Sequence, residues 1–214
     1  MKCQRVLDFS LRFFFACGIL YLSKFLEGWG MEMDVVVLFG SPREDGNTDG
    51  VLRFFLDNAA DFGFGEFDHV RIFHAFEVLA RPCVDCGFCR ENRGKCCFED
   101  LDFVFEKISE CDLLIVASPI YNYSFPAPLK AIFDRCQRFF EKSKSPESFT
   151  GQGVLLVTSG SSGKRDFELF EMQGRLLFST LNKKFSGKLM LGDTDATPFD
   201  EVPEEFLRGL FVGE

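Results

Sequence analysis

The sequence predicts an α/β domain, a doubly wound five-stranded parallel sheet of order 2-1-3-4-5 with helices on both faces. Three observations carry that expectation. Short β-branched runs alternate with longer segments of helical period from Asp34 onward. Three of the runs are apolar throughout, as strands covered on both faces are. A polar or proline-stiffened loop follows each of those three. In such sheets ligands bind beyond the carboxyl ends of the strands at the switch point, here between strands one and three.

In chain order, Val35 to Phe39 is the first strand, bounded by Gly40. Asn47 to Ala60 follows as a helix that Asn47 or Thr48 can cap. Phe67 to Phe73 is the second strand, and residues 81–97 form a long cysteine-rich loop. A second helix opens near Glu99, with Leu101, Val104, Phe105 and Ile108 on one face. Leu113 to Ala117 is the third strand and Ala127 to Phe140 the third helix. Val154 to Val157 is the fourth strand, Asp166 to Leu181 the fourth helix, Leu189 to Leu191 a short fifth strand, and Glu201 to Phe211 a last helix.

The chain's 214 residues suffice for one such domain and not for two. With 46% hydrophobic and 27% charged residues, the composition is that of a soluble globular protein. A net charge of −9 argues against binding nucleic acid or an anionic membrane through the bulk field. The 29 phenylalanines exceed what such a chain needs and read as packing. Nine cysteines, an odd number without a regular disulfide framework, indicate a reducing, cytoplasmic setting. Cys111 and Cys136 fall in apolar stripes and read as core.

Residues 1–32 read as an N-terminal extension to a domain spanning residues 33–214. The run Phe13 to Leu22 is shorter than the about 20 apolar residues that cross a bilayer, and no small-x-small cleavage site follows it. A start set too far upstream, with Met31 and Met33 directly before the first strand, is the first reading. A docking helix and a secretory signal follow it.

The loop Ser41 to Thr48 combines hydroxyls, the Arg43 guanidinium, a flexible Gly46 and the amides opening a helix, all donors to a phosphate monoester. It is neither a Walker A loop nor G-x-G-x-x-G. The loop from Ser118 to Ala127 sets Tyr121 and Asn122 between two prolines, groups suited to the plane and edge of a flavin ring. The loop from Thr158 to Gly163 leaves its backbone free to approach a ligand. His69 and His74 read as edge residues, and Asp193-Thr194-Asp195 as a solvated turn.

Together, Gly40-Ser41-Pro42-Arg43-x-x-Gly46-Asn47-Thr48, Ser118-Pro119-Ile120-Tyr121 and Pro126-Ala127-x-Leu129-Lys130-Ala131-x-x-Asp134-Arg135 resemble the NADPH-dependent FMN reductase superfamily, of flavodoxin-like fold. The cysteine segment followed by Glu99-Asp100 resembles its iron–sulfur flavoprotein-like branch. The resemblance implies that Ser41, Arg43, Gly46, Asn47 and Thr48 hold the FMN phosphate. It also implies that Pro119, Ile120, Tyr121 and Asn122 line the isoalloxazine, with Ser159 and Gly160 closing its far side. It further implies NAD(P)H as co-substrate and a homodimer or homotetramer that completes the site.

Cys83-x-x-Cys86-x-x-Cys89, with Cys96 six residues on, is a run of the kind that holds iron–sulfur clusters. Cys97 competes as fourth ligand. A [4Fe–4S] cluster, a metal-free loop and zinc are the three readings. The functional expectation is an FMN-dependent NAD(P)H oxidoreductase serving a quinone or another small-molecule or protein acceptor. An electron-transfer flavoprotein without direct NAD(P)H turnover is the alternative.

Overall fold

The computed structural model describes residues 33–92, 94–140, 149–161 and 164–214. The readings placed on residues 1–32 lie outside them. Strand β1 (Met33–Phe39) pairs in parallel with β2 (Phe67–His74) on one side and β3 (Leu113–Pro119) on the other. Beyond β3 lie β4 (Gly151–Thr158) and β5 (Lys183–Leu191), also parallel.

The continuous apolar runs are explained by the two cores they feed. Val36, Leu38, Leu114, Val116, Leu155 and Val157 point into one hydrophobic core. Their alternates Val35, Val37, Phe39, Leu113, Ile115, Ala117, Val154 and Leu156 point into the other. Each large aliphatic or aromatic side chain removed from water there contributes about 1.5–3 kcal/mol, which favours apolar residues on both faces. The first core is covered by α4 (Asp102–Glu110), α5 (Ala127–Arg135) and α6 (Lys164–Thr180). The second is covered by α1 (Asn47–Asp57) and α7 (Glu204–Leu210). Two single-turn helices, α2 (Ala75–Val78) and α3 (Phe88–Glu91), lie between β2 and α4.

The expected order 2-1-3-4-5 is observed and extended by one strand. β6 (Phe211–Gly213) pairs antiparallel with β5, so the last helix stops at Leu210. The cause is one side chain. The ring of Phe211 lies 4.5 Å from that of Phe62 and 5.8 Å from that of Phe55. Gly187 makes room for it, since a Cβ there would come within 2.4 Å of Phe211 Cζ. Much of the phenylalanine excess is therefore packing, as expected.

Two further boundaries differ from the sequence reading. β5 begins at Lys183, whose buried ammonium donates to the Cys111 carbonyl. Helix α5 ends at Arg135 and tightens into a 3-10 turn, Cys136–Phe139. No helix among the described residues is long and apolar enough to cross a membrane.

Candidate functional site

The loops after β1, β3 and β4 lie side by side because those strands are neighbours in the sheet. Backbone bonds tie them: Gly40 N–H to the Ala117 carbonyl at 2.8 Å, and Ile120 N–H to the Thr158 carbonyl at 2.9 Å. A Cβ at residue 40 would approach Leu129 Cδ2 to 2.5 Å, so only glycine lets the first loop leave its strand this close to α5.

In the first loop, Ser41 is buried and its Oγ accepts from Arg43 N–H at 3.1 Å, which curls the backbone. Gly46 holds the cap position of α1 in extended conformation, and Gly50 N–H makes the first helical bond to its carbonyl. The amides of residues 47–49 therefore have no acceptor inside the helix and carry the positive end of its dipole. Arg53 pairs with Asp45 at 3.0 Å and with Asp49 at 2.8 Å. The guanidinium of Arg43 has no carboxylate partner among the described residues. Arg53 draws Asp45 and Asp49 to itself, leaving the Arg43 guanidinium and the helix amides as donors suited to an anion.

Neither expected cap forms. Asn47 Oδ1 accepts from Phe199 N–H at 2.8 Å, and its amide reaches the Thr194 carbonyl at 3.5 Å. The Thr48 hydroxyl is buried against that of Thr158, 2.7 Å away. Both side chains thus fasten the loop to neighbouring segments, leaving their amides to face a ligand.

In the second loop, Asn122 and Tyr123 both have positive φ, 49° and 59°. Tyr121 and Ser124 exchange both backbone bonds at 2.9 Å, closing a two-residue turn of the primed type. Tyr121 and Tyr123 stand exposed at its tip. In the third loop, Ser159 is buried and its carbonyl accepts from both the N–H and the hydroxyl of Thr194. Gly160 faces Asp195, whose Oδ2 lies 2.4 Å from where a Cβ would stand. The segment 193–195 is a turn with Asp193 and Asp195 exposed, as expected, and its buried Thr194 ties it to the third loop. What sequence reasoning missed is that Thr158, Thr194 and Asp195 pack against these loops. The one signal was the reach of Thr158 at the end of an apolar strand. His69 is exposed beside Asp68 at 3.4 Å, and His74 packs edge-on against Phe39, so neither joins the three loops.

The cysteine loop forms a separate feature. Cys83, Cys86, Cys89, Cys96 and Cys97 line one cavity of about 100 Å³ together with Asp85, Arg90, Phe98 and Arg138. Cys86 and Cys97 have their sulfurs 3.3 Å apart. The Phe88 amide and the Cys97 thiol pull the Cys86 pKa down, while the same contact and burial push that of Cys97 up to about 11. Arg135, fully buried, donates to the carbonyls of Arg81 at 2.9 Å and Phe98 at 2.6 Å and pairs with Asp100 at 2.9 Å. It clasps the two ends of the loop. Arg138 pairs with Asp102 at 2.7 Å, and its buried Nε has no hydrogen-bond partner. Cys111 and Cys136 are core residues, and burial drives the Cys136 thiol up to about 12.

A single tetrahedral ion needs its donors within about 2.3 Å of one point. Among the described residues no three of Cys, His, Asp or Glu are so gathered. A cubane binds each thiolate to a different iron, so its donors stand wider apart. Five thiols in one cavity that Arg90 and the buried Arg138 also line are a donor set that fits an anionic cluster of that kind.

The NADPH-dependent FMN reductase family model matches residues 33–182, which contain all three loops and the cysteine segment. An iron–sulfur flavoprotein of Methanocaldococcus jannaschii is 34% identical over 166 residues, 77% of this chain and 79% of that protein. An iron–sulfur flavoprotein of Methanosarcina thermophila is 33% identical over 132 residues, 62% of this chain and 67% of that protein. In fold, the chain matches an NAD(P)H:quinone oxidoreductase from Methanothermobacter marburgensis at 21% identity and a TM-score of 0.60, covering 83% of this chain and 92% of the other. The fold is flavodoxin-like. Order of motifs, loop geometry and relatives converge: the chain belongs to the NADPH-dependent FMN reductase family, in its iron–sulfur flavoprotein branch, and is a flavin-dependent oxidoreductase.

Proposed function

We propose that this oxidoreductase draws electrons from NAD(P)H through FMN and delivers them to a quinone or a comparable small-molecule acceptor. The observation that supports it most is the first loop, where free helix amides meet an Arg43 guanidinium that no carboxylate occupies. There Ser41, Arg43, Gly46, Asn47 and Thr48 would hold the FMN phosphate, Asn47 and Thr48 through their amides. Pro119, Ile120, Tyr121 and Asn122 would line the ring, and Ser159 and Gly160 would close its far side. When bound, FMN supplies the hydride and electron chemistry, so no side chain need act as acid or base.

The chain's own contribution is positional. The primed turn at Asn122 and Tyr123 fixes the aromatic rim, and the brace from Thr194 and Asp195 fixes the opposite wall. The exposed Tyr121 and Tyr123 would meet a second subunit, giving a homodimer or homotetramer that completes the site. Cys83, Cys86, Cys89 and Cys96 would hold a [4Fe–4S] cluster, which supplies single-electron transfer. The odd count of nine cysteines, without a regular disulfide framework, supports a reducing, cytoplasmic setting. Residues 33–214 would form the functional domain, and residues 1–32 a dispensable extension.

Steady-state oxidation of NADH and NADPH, with a quinone or ferricyanide as acceptor, tests the reading. Turnover with bound FMN is expected. No turnover with either nicotinamide would eliminate the reductase and leave a carrier that receives electrons from a protein.

A further inference from the structure

We propose that Cys86 and Cys97 form a thiol–disulfide exchange site whose oxidant is a low-molecular-weight disulfide. Their sulfurs are 3.3 Å apart and both residues are exposed. A disulfide requires about 2.05 Å between sulfurs, so closure needs little more than about 1 Å of movement. The contact is imposed by its surroundings. Arg135 holds the Arg81 and Phe98 carbonyls, and Cys97 is bonded directly to Phe98. Cys86 sits between two left-handed residues, Asp85 at φ 46° and Gly87 at φ 75°, and the Gly87 carbonyl accepts from Arg90 N–H at 3.0 Å.

The cavity is lined by five thiols, one more than a cubane takes. A cubane that takes four of the five leaves one thiol over. With Cys86 in the proposed ligand set, Cys97 is the spare. The disulfide and the cluster therefore exclude each other. The inference does not depend on the flavin site.

The exchange runs in two steps. One thiolate of the pair attacks a sulfur of the oxidant, breaking its S–S bond and forming a mixed disulfide, while one thiol departs with the bonding electrons. The second thiolate then attacks the mixed disulfide, forming the Cys86–Cys97 bond and releasing a second thiol. The pair is oxidised by two electrons, the external disulfide is reduced by two, and the two cysteine protons end on the released thiols.

The test treats full-length, chelator-stripped protein with oxidised glutathione, then alkylates and maps the peptides by mass. One intramolecular bridge, Cys86–Cys97, is expected, with loss of two alkylatable thiols. Cys86→Ser and Cys97→Ser should each stop at a glutathionyl adduct on the remaining partner, while Cys89→Ser should still close. A dominant bridge between Cys83 and Cys89, or between Cys96 and Cys97, would overturn the proposal. So would separate adducts on Cys86 and Cys97 of the unaltered chain without closure. FMN content, measured in the same samples, reports the flavin reading independently.

Discussion

Replacing Arg135 by Met removes a buried guanidinium and leaves the Arg81 and Phe98 carbonyls and the Asp100 carboxylate to find new partners. Breaking one side of a buried ion pair costs about 3–5 kcal/mol. Asp100 keeps the Arg81 backbone N–H at 2.9 Å, and its side chain is 21% exposed, so the lower end, about 3 kcal/mol, applies. For a urea slope of about 2–3 kcal/mol/M, the unfolding midpoint should fall by about 1–1.5 M. Circular dichroism in urea measures this, and thiol alkylation of the folded protein should show a faster cysteine loop. A pH series adds a second readout. Burial works to raise the Asp100 pKa, but the bonds from Arg135 and Arg81 outweigh it and hold it below the ordinary carboxylate range. That stabilisation is full above the unfolded value of about 4 and is lost as pH falls through the folded one. The variant should therefore lose less stability on acidification below about pH 4 than the parent does. An unchanged midpoint together with an unchanged alkylation rate would refute the clasp.

Two other substitutions follow from the loops. Arg43→Ala should weaken FMN binding while sparing riboflavin, because in the proposed placement the guanidinium would meet the phosphate end only; flavin fluorescence titration reads the difference, and equal loss of both ligands would contradict the placement. Gly40→Ala sets a methyl group 2.5 Å from the buried Leu129 and 3.0 Å from Ser118 Oγ. It should cost about 1–3 kcal/mol, read as a lower thermal midpoint, with FMN affinity falling alongside as the first loop is pushed off its strand.

The central strands were legible because both faces of β1, β3 and β4 are buried, which forces unbroken apolar runs. β5 was truncated in the sequence reading because Lys183, Lys184, Ser186 and Lys188 interrupt its pattern, and nothing local shows that Lys183 is buried against a carbonyl. β6 is three residues long and owes its existence to where Phe211 packs, a tertiary fact. At the site, the order Ser-Pro-Arg, Gly, Asn-Thr was readable, but the partners of Asn47 and Thr48 lie 147 and 110 residues away. Residue chemistry named the candidate phosphate loop; only the fold revealed that their side chains brace it. Likewise the cysteine spacing identified the crowd of thiols, whereas the pairing of Cys86 with Cys97 depends on how Arg135 gathers the loop.

The sixth strand gives the sheet two unlike ends. At one, three residues ending in a glycine finish the ladder, too short a template for another chain to extend. At the other, eight residues of β2 offer a full row of backbone groups, with Val70 and Ile72 each 41% exposed. Asp68, His69 and Arg71 interleave with them, placing charge and polarity along that border. Strand addition to this domain thus has a direction, and the residues that guard against it all lie on one short stretch of chain.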